Sequence, residues 1–578
     1  MNYLKPVSLL LIAATIAGCN GLGKMSKNAS LVKYEVTPNP LEVHGDSVAI
    51  SIKGTYPAKY FAKKVDLTVT PVIKTSSGEH AFKSSTEVGE KSVTTGNKIN
   101  QKAGGSFTYS DKIAYTPDMR AGEVMVNIKG TQGKKSQDFA PVKIADATIA
   151  TPTLVKADEK TIGAKDKFQK IVPANFNGQV YYLIMTSTVN PNFKVKACNF
   201  NNKFELAAID SAIKALAIAP YALKGINIMG YASPDGKERM NSGLAEARSK
   251  SSMKYLMAGF KKKKSAVGLD SAFYTRSATS EDWQGFQQLM QSSDMSQKDM
   301  VLRIVASNTD PDAREIEIKK MGKAYTEIAE NVLPKLRRSV VTINADKMSR
   351  TDEEISALAI SNPDSLSVEE ILYASTLTTD DSKKMTIYKS AERIYPQDWR
   401  TSNNVGMMTF MSGDADGAMS EFNKADALSA NNAVVKNNLG ACYSRKGDRK
   451  KAAEMYASAS GAGPELNENM GILNIKDGNY SAAVGNYASS QSFNAALAKL
   501  LSGDKDGAMS TLDSSPDKDS AIGLYLKAVI SARKGDAGGV VSNLKASISK
   551  DSKMKSMAKE DREFIKWFND ESFKSAVM

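Results

Sequence analysis

The feature that most confines the fold of this chain is a self-similarity near its end. Gly413-Asp414 and Gly447-Asp448 stand 34 residues apart, and at the same offset Val405-Gly406 aligns with Leu439-Gly440, Ala418 with Ala452, Phe422 with Tyr456 and Ala425 with Ala459. A sequence that returns its small and aromatic residues at such a period builds one supersecondary unit several times, because a single unit cannot bury its own apolar face. Small residues belong where paired helices cross, and aromatics where the next repeat packs. The register runs on less regularly through Gly471, Gly478, Ala483 and Tyr487, then Gly503-Asp504 with Ala508, and Gly535-Asp536. Leu372, Tyr388, Ala391 and Pro396 mark an earlier unit. About six helical hairpins are expected over residues 367–578, with Phe564, Ile565 and Phe568 capping the last.

These units resemble tetratricopeptide repeats. The resemblance implies an all-α solenoid that recruits other proteins, whose identity it does not give.

The chain has 578 residues, enough for about four domains, with 42% hydrophobic and 24% charged residues, as packed domains require. Its N-terminus reads as an address rather than as part of a domain. Lys5, an apolar run from Val7 to Ala17, then Gly18 and Cys19 form a charged segment, a short hydrophobic segment and a small-residue cleavage point. The run is too short to span a membrane. Ile16-Ala17-Gly18-Cys19 resembles the lipobox of bacterial lipoproteins, which implies that residues 1–19 hold a signal peptide and that Cys19 carries acyl chains. At about 0.8 kcal/mol per buried methylene, two or three chains hold a protein on a bilayer. Asn20, rather than Asp, implies by the same resemblance the outer membrane, with the chain facing the periplasm. Residues 20–30, rich in Gly, Asn, Ser and Lys, read as a tether.

The net charge of +14 can suit nucleic acid, but an exported protein does not meet it, so no nucleic-acid partner is expected. The one dense run, four lysines at 261–264, reads as a solvated helix end. Cys198 and Cys442 read as buried apolar side chains rather than a disulfide.

From 31 to 154 the apolar period is two. Val48, Ile50 and Ile52 alternate with polar residues, as do Val65, Leu67 and Val69, and Val124, Val126 and Ile128, with Pro and Gly between the runs. An all-β sandwich is expected.

Residues 178–345 mix the two periods. A strand is expected from Val180 to about Ser187, then a helix with Leu206, Ile209, Ile213 and Leu216 on one face, then a strand through Ile226 and Ile228 into Gly230. Pro234 and Asp235-Gly236 supply a turn, and Asn241, Leu244, Ala245 and Arg248 fall along one face of the next helix. This is an α+β layer. Leu289, Met300, Ile304, Ile316, Ile318 and Ile328, with a turn at Asp310-Pro311-Asp312, mark a helical insertion at about 281–335.

Gly230-Tyr231-Ala232-Ser233, then Asn241, Leu244, Ala245, Arg248 and Ser249, and finally Leu336-Arg337-Arg338 before Ser339-Val340-Val341, resemble the OmpA-like peptidoglycan-binding domain. The resemblance implies that Tyr231, Ser233, Asp235, Asn241 and Arg248 form a site for the diaminopimelate of a cell-wall stem peptide. An anion there takes the ligand ammonium and the guanidinium fork its carboxylate. Ser233 stands where the family has Asp, and Asp235, two residues on, is the nearest substitute.

Nothing points to catalysis. The only histidines are His44 and His80, both in the β-rich segment, which excludes a histidine-based zinc site or a serine or cysteine triad in the larger domains. No enzyme activity, catalytic residue, metal or cofactor is expected. Two readings remain: a lipoprotein linking outer membrane to cell wall while its repeats recruit proteins, or an adaptor in an outer-membrane assembly or secretion complex whose OmpA-like domain binds protein.

Overall fold

The computed structural model describes residues 21–195, 200–218 and 220–578. The expected signal peptide and lipidation site, residues 1–19 with Cys19, and Cys198 lie outside the described residues. The chain divides into two compact units, one comprising residues up to Lys165 together with Tyr388–Met578, the other Asp166–Ile387. The β-rich segment and the repeats, expected as separate domains, therefore belong to one body, and the α/β unit is inserted between them in sequence.

The β-rich segment forms two sheets. Ser47–Tyr56 pairs antiparallel with Lys33–Thr37, Val43–His44 and Gly105–Ala114, and a seven-stranded sheet is built on the antiparallel pair Asp66–Lys74 and Glu123–Gln132. All nine alternating residues named above are buried, as a sandwich with one wet and one dry face per sheet demands. The expected tether is corrected here. Gly21–Lys27 is a helix that buries Leu22 and Met25 with Phe61, Val65 and Leu67, because two apolar residues three apart outweigh the polar composition around them.

In the α/β unit, β1 (Ile171–Tyr181), β2 (Tyr221–Tyr231), β3 (Tyr274–Thr279) and β4 (Arg338–Met348) form one sheet in the order β1-β4-β2-β3, with only β2 and β3 parallel. Helices α1 (Asn202–Leu216) and α2 (Glu238–Lys262) lay Leu206, Ile209, Ile213, Leu256 and Phe260 on it. The four lysines are exposed at the end of α2. The first strand differs from expectation: it begins at Ile171 and ends at Tyr181, because its partner β4 begins at Arg338 and only one further backbone bond, from the Tyr182 N–H to the Arg337 carbonyl, continues the pairing. Five short helices between 283 and 336 make the insertion, around Phe286, Met290, Val305, Ile328 and Leu333. Pro311, expected in a turn, opens one of these helices at the position where its missing N–H costs nothing, and of the apolar residues that marked the insertion Met300 and Ile316 are exposed.

The repeats form antiparallel helix pairs, five of them between 399 and 550: α3 (Trp399–Met411) with α4 (Ala415–Leu428), α5 (Ala433–Arg445) with α6 (Arg449–Ala457), α7 (Pro464–Lys476) with α8 (Tyr480–Asn486), α9 (Phe493–Leu501) with α10 (Lys505–Asp513), and α11 (Ala521–Lys534) with α12 (Ala537–Lys550). The Gly-Asp signature is the hinge of four of the pairs, and Gly478-Asn479 takes its place between α7 and α8. Gly447 takes φ +82°, which ends α5, and Asp448 then accepts from the Lys451 N–H to begin α6; Asp414, Asp504 and Asp536 do the same for Gly417, Gly507 and Gly539. Each aromatic crosses the glycine of its own pair rather than waiting for the next repeat. A Cβ on Gly440 would stand 2.4 Å from Tyr456, and one on Gly471 equally close to Tyr487. Gly440→Val is therefore expected to cost about 1–3 kcal/mol by overpacking. A thermal melt of the full chain with an unchanged midpoint would contradict this packing.

Candidate binding sites: an arginine cluster and an occupied groove

Gly230 ends β2 where α2 presses closest, since a Cβ there would stand 2.0 Å from the Ala245 carbonyl oxygen. That contact aims the Arg248 side chain back across the end of the sheet. Arg248 is 1% exposed, and its guanidinium is spent on the chain itself. Nε donates to the Thr186 carbonyl at 3.0 Å, Nη1 to that of Tyr231 at 2.9 Å and Nη2 to that of Leu183 at 3.4 Å. The group lies 5.4 Å from the centre of the Tyr182 ring. Burial, and then the nearby Arg337 charge, push its pKa down to about 10. The segment after Tyr182, expected as strand, is thus held by arginine instead of by a neighbouring strand. It turns three consecutive apolar side chains, Leu183, Ile184 and Met185, outward at 46%, 57% and 61% exposure.

The other expected site residues gather nearby with different partners. The Ser233 hydroxyl donates to Asp235, so the substitute carboxylate stands beside the serine. Asp235 is not open, because Arg337 Nη2 meets it at 2.8 Å while Arg337 Nε donates to Ser233 Oγ at 3.1 Å, with both charged side chains nearly buried. Asn241 Nδ2 donates to the Gly236 carbonyl at 3.1 Å and so braces the turn. Tyr231 lies under Arg338, whose guanidinium is 4.5 Å from the ring centre and pairs with Asp282 at 2.9 Å. Sequence reasoning placed Arg337 and Arg338 on the closing strand but did not see them as the counter-charges of the cluster. Two arginines following an apolar helix end, opposite a turn bearing Asp, were the available signal.

A second arrangement had no counterpart in the sequence reading. Residues 155–165 run extended along the first helices of the solenoid, and four asparagines bind their backbone in both senses. Asn404 Oδ1 accepts from the Ala164 N–H at 2.6 Å while its Nδ2 donates to the Ala164 carbonyl at 2.9 Å. Asn438 treats Ile162 the same way at 2.7 and 2.8 Å, Asn469 treats Lys160 at 2.7 and 2.8 Å, and Asn494 treats Lys156 at 2.9 and 2.9 Å. Asn403 and Asn437 add bonds to the carbonyls of Ile162 and Lys160 and link the asparagines to one another. A carboxamide carries one donor face and one acceptor, so it completes an extended residue as a neighbouring strand would. Each bond contributes about 1 kcal/mol net, but an asparagine left buried without its partner costs about 1–3 kcal/mol.

Between these positions Glu159 is enclosed. Its carboxylate accepts from Arg445 Nε at 2.9 Å, Lys476 Nζ at 3.1 Å and Ser444 Oγ at 2.8 Å. Burial alone would raise its pKa, yet the Lys476 ammonium and the hydrogen bonds hold it below the ordinary carboxylate value. Leu154 enters the solenoid core at one end of the segment, and Arg400 donates to the Lys165 carbonyl at 3.4 Å at the other. The signal for this groove was an asparagine two residues before the small residue of the first helix in the first four pairs: Asn404 before Gly406, Asn438 before Gly440, Asn469 before Gly471 and Asn494 before Ala496.

Cys442, His80 and Ser77 are engaged within the fold. Cys442 is fully buried, and burial pushes its thiol up to about 12, in keeping with an inert apolar role. His80 and Ser77 both bond to Asp118, at 2.7 and 2.6 Å, rather than to each other, so no nucleophile is activated. No helix among the described residues is long and apolar enough to cross a membrane.

No protein-family model matches the chain, and no curated protein matches it. Among solved structures, similarity is found to a chain of the APC/C hetero-tetramer Cut9–Hcn1, at 13% identity and a TM-score of 0.31, covering 51% of this chain. The match spans 59% of that chain's own length. Yeast Tom70 is similar at 11% identity and a TM-score of 0.25, over 62% of this chain and 85% of its own. TTC0263, a thermophilic TPR protein of Thermus thermophilus, is similar at 12% identity and a TM-score of 0.17, over 37% of this chain and all of its own.

Arg248→Ala removes the partner of three carbonyls in a dry site and is expected to destabilise the α/β unit by about 2 kcal/mol or more. Differential scanning calorimetry of the full chain reads the change, and an unaltered melting profile would mean that the guanidinium does not hold the 183–186 loop.

Proposed function

We propose that the chain is a non-enzymatic adaptor of the bacterial outer membrane, lipid-anchored at Cys19, facing the periplasm, and binding protein through both its α/β unit and its tetratricopeptide-like repeats. The observation that carries this reading is the use to which Arg248 is put. Its fork is filled by backbone carbonyls, and the loop it fixes offers Leu183, Ile184 and Met185 to solvent. A stem peptide, which is zwitterionic, needs an open fork and an open anion. A protein surface is better served by a rigid apolar loop.

The wall-linking reading keeps one specific support. Asp235 stands beside Ser233 and supplies, from two residues further on, the anion that the OmpA-like motif carries at that place. Co-sedimentation with purified diaminopimelate-containing sacculi separates the two. The adaptor reading expects the full chain to remain in the supernatant. Retention that disappears in Arg248→Ala and Asp235→Asn, with folding intact, would instead establish the wall link.

Anchoring is tested independently. Cys19→Ser is expected to abolish palmitate incorporation and to release the protein from the membrane fraction. Labelling unchanged in that variant would remove the lipoprotein assignment.

A further inference from the structure

We propose that residues 155–165 are an intramolecular ligand that keeps the peptide-binding groove of the solenoid closed, with Glu159 as the latch, and that the groove accepts an extended peptide bearing a carboxylate at the latch position once this strap is lifted. The observations that favour a ligand over an ordinary linker are of two kinds.

The first concerns what is recognised. Three alternate residues, Lys160, Ile162 and Ala164, are each bound through their own N–H and C=O by one asparagine, and none of the three side chains is buried. Such contacts read an extended backbone, not a sequence. The only buried side chain between 155 and 165 is that of Glu159, at 5% exposure. Side-chain recognition therefore rests on one enclosed carboxylate, met by Arg445, Lys476 and Ser444, with the Lys156–Asp517 pair three residues before it and asparagine-bonded positions one, three and five residues after it. A competing peptide needs an Asp or Glu and a free N–H at each of those three positions, so proline at any of them excludes it.

The second concerns what lies beneath. Asn403, Asn404, Asn437, Asn438 and Asn469 are at most 1% exposed, and their carboxamides are already linked to one another in one row. Lifting the strap uncovers a preformed row of donors and acceptors with a cationic end. Because Leu154 and Lys165 fix both ends of the strap, its effective concentration is of the order of millimolar, and a free peptide competes only when the latch is weakened.

The test uses a fluorescent synthetic peptide of residues 156–165 as probe. Three full-length proteins are compared: the native chain, a chain with 156–164 replaced by Gly and Ser at equal length, and Glu159→Gln. Hydrogen-exchange mass spectrometry follows the helices between 399 and 550 in each. The strap-replaced chain is expected to bind the probe in a one-to-one ratio and the native chain at least about tenfold more weakly. Probe peptides carrying Glu159→Gln or Ile162→Pro are expected to lose at least about tenfold in affinity. In the Glu159→Gln protein the amides of Lys160, Ile162 and Ala164 are expected to exchange at least about tenfold faster while the helices stay protected. Equal binding by native and strap-replaced chains overturns the closure. A strap-replaced chain with protected helices and no probe binding overturns the groove, and unchanged strap exchange in Glu159→Gln overturns the latch. If helix protection is lost in both variants, the strap is part of the core and the proposal fails.

Discussion

Backbone cannot be covered without partners for its amides, and in the extended segment 155–165 those partners are asparagine side chains. Much of the first unit follows from that constraint. A helix has no free edge to offer an extended strand, so a stack of helices can hold one only if side chains with both donor and acceptor point from it at a regular interval. The repeat supplies the interval, and the hinge glycines with their capping aspartates set the first helices in register. Glu159, paired with Arg445 and Lys476, and Lys156, paired with Asp517, add the charged contacts that fix which residue meets which repeat. The sandwich is drawn into the same body where Arg562 donates to the carbonyls of Ala121 and Ala147 and His44 packs edge-on to Tyr480.

The cluster at the end of the α/β sheet obeys the same accounting with charge in place of amides. A guanidinium has five donors and no acceptor, and when buried it must find oxygen. Arg248 finds it in a loop that has lost its strand partner, while Arg337 neutralises Asp235 and Arg338 neutralises Asp282. Each charge is met inside the unit. The mutual geometry of these residues makes them a brace for the loop.

Elements whose periodicity is strong were readable from the sequence. The alternating Val and Ile of the sandwich, the helical face of Leu206, Ile209 and Ile213, and the 34-residue register all lie where their spacing implies. What failed was read from composition or from an apolar run alone. Gly, Asn, Ser and Lys around Leu22 and Met25 suggested a tether, but two well-placed apolar residues suffice to dock one turn of helix. Leu183 to Met185 looked like strand interior, yet a strand also needs a partner, and pairing is a property of two segments that one window does not contain. The candidate cluster was legible as a set of residues and illegible as a network, since which arginine meets which carboxylate depends on contacts about a hundred positions apart. The asparagine row was written in plain view in four successive repeats, but its meaning lay in a stretch of chain that carries no periodic signal.

The strap also bears on how such a chain could have been assembled. Its bonds join residues 240 to 338 positions apart, and nearly all of the intervening sequence between its end and the first repeat is the α/β unit. Closing a loop becomes costlier only with the logarithm of its length, about 0.6 kcal/mol for each doubling. An insertion at this point therefore burdens the host little, and once folded it shortens the loop that must be closed. The junction after Lys165 is a socket, at which one domain could be gained, lost or exchanged during evolution while the sandwich and the solenoid keep their common core.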